Sequence, residues 1–166
     1  TNTGCEKIKD LADVTFDADF TATMDATVEP TSLKSGQAMG YFDEFTTIDP
    51  NTNSDFKTYA SKIKEIKVEK VIVEVISITG SANNSVVVDW AHLHCHQLSS
   101  FDENGFYAFF EMNNETLTVG KTFEFTAAGE LGDLETILNT KESFDVYLHG
   151  AADPVNATIG FKVYIN

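Results

Sequence analysis

The chain contains no arginine. All eleven basic side chains are lysines, set against 26 Asp and Glu, for a formal net charge of −15. It therefore lacks the planar guanidinium fork that grips phosphate or carboxylate at two points. So acidic a surface repels nucleic acid and anionic lipid, whose recognition rests on clustered Lys and Arg. Proline occurs three times and cysteine twice, at Cys5 and Cys95. A Cys5–Cys95 disulfide suits an oxidising compartment, but spacing alone does not establish its geometry. No apolar run reaches the roughly 18 residues of a membrane-spanning helix. A basic-then-apolar leader is also missing, so the expectation is that any signal peptide has been removed. There is no Gly-x-Ser-x-Gly nucleophile elbow and no glycine-rich phosphate loop.

What the chain does have is a core. Apolar residues make up 42% of its 166 positions and include thirteen Phe. A chain of this length buries about 70% of its unfolded surface and is expected to form one domain. The stretch 62–80 stands out, because six of the eight residues from Val71 to Ile78 are Val or Ile. Stiff, branched side chains favour a pleated sheet over a helix. A run apolar on both sides of the pleat predicts a central strand covered on both faces.

Other segments alternate with a period of two, the mark of one dry and one wet face. Phe16, Phe20, Met24 and Val28 lie on one side of such a strand, with Asp17, Asp19 and Asp25 on the other. Further strands are expected over 37–48, 86–98, 106–112 and 117–125, over 144–148, and from 157 to the end. A turn at Asn113-Asn114-Glu115 is expected to join two of them as a hairpin. Short helices are expected over 55–63, capped by Asn53 or Ser54, and over 130–139. Strands and helices do not alternate regularly, which argues against a parallel sheet. The expectation is an all-β protein: an antiparallel β-sandwich, immunoglobulin-like or a related Greek key, with about eight strands and two short helices in connections. Residues 1–13 read as a flexible leader and 14–166 as the single domain.

Three of the four histidines cluster at His92, His94 and His96. On a strand they share one face, while Leu93 and Cys95 share the other. Imidazole suits zinc or copper. Three such residues in a row span about 13 Å, so a regular strand offers one ion only two of them. His94 and His96 are then the pair, with His92 as the spare. A third ligand must come from elsewhere, with a carboxylate on a paired strand as one source. The alternative is a metal-free strand: a solvent-facing histidine stripe in line with Trp90, or partly buried rings satisfied by backbone. The carboxylates Asp17, Asp19 and Asp25 lie on a straight strand rather than in a wrapping loop, and read as a solvated face rather than a calcium site. Asn83, Asn114 and Asn156 open Asn-x-Ser/Thr triplets, read here as ordinary turn and strand residues.

The order of these features resembles a group of small surface lipoproteins from the Bacteroidetes. The resemblance is carried by Cys5 near the start, the alternating strand over 16–28, the segment 49–80, the helix GDLETILN at 132–139 and the closing strand IGFKVYIN. It implies a β-sandwich on a loose tether, lipidated at the early cysteine and displayed at the outer-membrane surface. Thr1 to Gly4 precede Cys5 here, so Cys5 is either the lipidated residue or a partner for Cys95. A membrane would be met only through that anchor, since an acyl group tethers without spanning.

Three functions stay open at this point. The first is a non-enzymatic, secreted or surface-anchored β-sandwich acting in binding or assembly, with a protein partner or with itself. The second is a metal-binding protein built on the histidine strand. The third is a subunit of a surface filament or outer-membrane complex that lends its 16–28 strand to a neighbour.

Overall fold

The computed structural model describes residues 18–30, 39–97 and 107–166. Cys5, the 1–13 leader, Phe16 and Asp17 lie outside the described residues. In chain order the elements are β1 (Phe20–Thr27), β2 (Glu29–Pro30), β3 (Gly40–Ile48), α1 (Ser54–Tyr59), β4 (Val71–Thr79), β5 (Ser85–Gln97), β6 (Tyr107–Thr118), β7 (Thr122–Phe125), α2 (Ala128–Asn139), β8 (Phe144–Asp153) and β9 (Thr158–Ile165). They form two antiparallel sheets, ordered β1-β9-β4-β7 and β2-β3-β8-β5-β6. Apart from the two-residue β2, this order interleaves two Greek keys as an eight-stranded jelly roll. The expected antiparallel sandwich is therefore present, in its related Greek-key form.

The period-two pattern dictates which side chains fill the sandwich. On β1, Phe20, Ala22, Met24 and Ala26 are buried while Thr21, Thr23 and Asp25 are exposed. β1 pairs with β9 over its whole length, from Phe20↔Ile165 to Thr27↔Thr158. The strand that a filament subunit would lend is thus already paired within its own chain. Asn53 caps α1 by accepting from the amides of Asp55 and Phe56, which seats Phe56 edge-on to Phe20 at 5.6 Å. Such a cap contributes about 1 kcal/mol.

The strand expected to be covered on both faces needs correction. On β4, Val71, Val73 and Val75 are fully buried, each worth about 1.5–3 kcal/mol. On its other face Ile72 and Glu74 are only half-buried and Ile76 is exposed. That face is polar because its neighbours are: Ile72 pairs with Glu124 and Tyr164, and Glu74 with Thr122 and Lys162. Tyr164 Oη donates to Glu74 Oε2 at 2.6 Å. β4 is still an inner strand, flanked by β9 and β7.

The hairpin expected at Asn113-Asn114-Glu115 is also corrected. β6 runs straight through these residues to Thr118, and the reversal comes at Val119-Gly120, where Gly120 holds φ +87°. Asn114 adopts φ +53° inside the strand, opposite an irregularity in β5. The left-handed backbone that an Asn tolerates has gone into a bulge rather than a turn. β6 pairs with β5 and β7 with β4, so the two strands belong to different sheets.

That irregularity positions everything on the outer face of the five-stranded sheet. β5 pairs with β8 as Val88↔Ala152 and then Trp90↔Ala151, leaving Asp89 as an extra residue. Before it the even positions Val86 and Val88 point inward; beyond it the odd positions Ala91, Leu93 and Cys95 do. Gly150, between β3 and β5, allows this close approach. A Cβ there would lie 2.7 Å from Phe42 Cζ and 2.9 Å from Ala91 Cα, and would also meet the Trp90 carbonyl. Gly150→Ala is predicted to destabilise the protein by about 1–3 kcal/mol. A urea midpoint unchanged from wild type would show that the strands are not held this tightly.

Candidate metal centre

All four histidines of the chain lie on β5 and β8, on the outer side of the five-stranded sheet. Each position follows from the register. His92 sits directly across from His149, His94 from Tyr147 and His96 from Asp145. His94 and His149 are diagonal neighbours, a separation that long side chains bridge readily. Their Nε2 atoms approach to 3.0 Å, one ring donating and the other accepting. His92 completes the group: one ligand atom from each of His92, His94 and His149 falls within 4.8 Å of the others. Among the described residues no other trio of His, Cys, Asp or Glu converges in this way.

Aromatic rings wall the cluster. Trp90 lies 4.9 Å from the His92 ring and 5.5 Å, edge-on, from His149. In the next row Phe45 stacks on Tyr147 at 5.2 Å, with ring planes 10° apart. Carboxylates close both ends of the histidine row, which runs Asp43, His149, His92, Glu111 across four adjacent strands. Glu111 Oε1 lies 3.9 Å from His92 Nε2.

The electrostatics favour neutral imidazoles. Burial, followed by the neighbouring His149, His92 and His96, pulls His94 down to about 4. Burial and His92 also lower His149, partly offset by the charge of Asp43. Neutral imidazole is the form that binds metal, so near pH 7 an ion meets little competition from protons at His94 and His149. A tetrahedral shell with bonds of about 2.0–2.1 Å sets neighbouring nitrogens roughly 3.3 Å apart. The His94–His149 pair is already close to that spacing, and a metal would take the place of their shared proton.

Of the residues singled out from the sequence, His92 and His94 join the cluster and His96 does not. His96 is buried to 7% exposure, stacks on Tyr147 at 5.7 Å and directs Nδ1 toward the Gln97 carbonyl at 3.3 Å. His92, taken as the spare, is a member. The partner that sequence reasoning missed is His149. Its signal was present, since Phe144, Val146 and Leu148 alternate inward and so place Tyr147 and His149 outward. Cys95 lies on the inner face, fully buried and in no disulfide among the described residues, with a thiol that burial pushes up to about 12. Protonated and facing the core, it is no ligand for this centre. Its proposed partner Cys5 lies outside the described residues. Asp19 and Asp25 are exposed on the β1 side, where Asp19 accepts from the Asn166 side chain at 2.9 Å.

No family model matches the chain, and no curated protein does either. Among solved structures, the decameric BFDV capsid protein is similar over 89% of this chain and 95% of that one. The sequence identity is 10% and the TM-score 0.47. A likeness of that size carries nothing about function.

The lowered histidines give stability a definite pH dependence. An unfolded His titrates near 6.5, whereas folded His94 titrates near 4. Between these values the unfolded chain holds the extra proton. The stability that His94 contributes is therefore complete above about pH 6.5 and is lost as pH falls toward 4. Urea midpoints of metal-free protein are predicted to fall over that window, and His94→Gln to flatten the fall. Identical slopes for the two proteins would contradict the assignment.

Proposed function

We propose that this chain is a non-enzymatic β-sandwich, secreted or anchored at a cell surface, that binds one zinc or copper ion through His92, His94 and His149. The observation that carries the proposal is the convergence of three imidazoles within 4.8 Å on two paired inner strands. Sites held by the scaffold's own strands are more precise than sites on loops. Imidazole nitrogen suits both zinc and copper. The carboxylates at either end of the row add an attractive field for a cation.

The non-enzymatic part of the proposal is supported by the missing nucleophile motifs. The extracellular setting is supported by the acidic, arginine-free surface and by the resemblance to surface lipoproteins.

Metal analysis of protein prepared without chelator or affinity tag tests this directly. Wild type is predicted to take up one equivalent of zinc or cupric ion at micromolar concentration. His94→Ala/His149→Ala is predicted to weaken binding by roughly a hundredfold or more, since even outer-shell changes cost 10–100-fold. His96→Ala is predicted to retain the metal. Wild type that stays metal-free, or loss of binding in His96→Ala alone, would overturn the proposal.

A further inference from the structure

The three histidines leave a tetrahedral ion one ligand short. We infer that Glu111 supplies the fourth, so that the centre is a closed His3Glu site selective for zinc over cuprous ion. This rests on the metal-binding proposal above and goes beyond it in naming the last ligand and the preferred ion.

Glu111 faces His92 directly across the β5–β6 ladder, so both side chains rise from the same face of the sheet. Its Oε1 lies 3.9 Å from His92 Nε2. Two donors on one tetrahedral ion sit roughly 3.3 Å apart. Glu111 stands outside the group whose donors all lie within 4.8 Å of one another, so its side chain must shift past His92 toward His94 and His149 to complete the shell. The glutamate side chain is half exposed, leaving it room to make that shift. Asn113 Nδ2 donates to the same Oε1 at 2.7 Å, which holds the carboxylate beside His92. Asp43, at the opposite end of the row, faces His149 across β3 and β8. It adds negative charge, and its effect on His149 is that of a neighbouring charge.

The ion preference follows from the donors. Zinc takes nitrogen and carboxylate oxygen together, whereas cuprous ion favours soft or purely nitrogen donors. One carboxylate on three neutral imidazoles also reduces the charge of a bound zinc from two to one. A fourth protein ligand fills the position where a catalytic zinc would hold water or substrate. The same residue therefore explains why this centre would bind a metal without turning over a substrate.

The test compares Glu111→Gln and Asp43→Asn with wild type, using zinc, cuprous ion and cobalt(II) as probes. Glu111→Gln keeps the volume and the Asn113 hydrogen bond while removing the charged donor. It is expected to weaken zinc binding at least tenfold, to leave cuprous affinity within about threefold, and to change the visible cobalt spectrum. Asp43→Asn is expected to weaken zinc only slightly and to leave the cobalt spectrum unchanged. Equal zinc losses in the two variants with superimposable cobalt spectra would mean that Glu111 acts only through its charge, overturning its role as ligand. Unchanged zinc affinity in Glu111→Gln would overturn it too, while wild-type binding left the three-histidine centre standing. Wild type that takes up none of the three ions would remove both proposals together.

Discussion

The pairing of β5 with β8, and the single extra residue it accommodates at Asp89, is the constraint on which the rest depends. Residues of a regular strand alternate sides, so a one-residue change of register moves every later side chain to the other face. Val86 and Val88 pack inward, and an uninterrupted strand would send Trp90, His92 and His94 inward after them. The bulge reverses that parity. Ala91, Leu93 and Cys95 complete the core, and the imidazoles reach the outer surface beside His149. Burying His92 and His94 between the sheets would cost several kcal/mol without hydrogen-bond partners. The bulge thus serves core packing and site construction at once.

Neighbouring strands accommodate the same irregularity. Asn114 takes a left-handed conformation in β6, and the inward positions there switch from Leu117 to Met112 and Phe110. Gly150 lets β8 approach the Trp90 carbonyl where a side chain would collide. The sheet therefore carries a local distortion across three strands, and the histidine cluster begins just beyond it. Bulges commonly re-aim side chains in this way, and they mark places where local geometry serves a site as well as a fold.

Much of the fold was legible because hydrophobic alternation is local. The buried face of β1, the apolar stripe of α2 and the Asn53 cap could each be read from a few adjacent residues. β4 misled because composition does not reveal what lies across a sheet: Ile72 and Ile76 look like core residues, yet Glu124, Tyr164 and Lys162 make their face polar. The Asn113-Asn114 pair misled because a left-handed residue serves a turn and a bulge equally well. The histidine strand was legible as a metal-ligand candidate, but its membership was not. Whether His96 or His149 joins His94 is decided by pairing between strands some fifty residues apart, His94 and His149 being separated by 55 positions. A carboxylate does lie on a paired strand, Glu111 opposite His92, but it stands outside the group of converging donors.

The central claim is that one metal ion is held by histidines from two adjacent strands. Anomalous scattering at the zinc edge, from crystals grown with one equivalent of zinc, tests it most directly. The account predicts a single strong peak about 2.0–2.1 Å from a ring nitrogen of each of His92, His94 and His149. A map with no peak at this cluster, or with its peak between His94 and His96 instead, would contradict it.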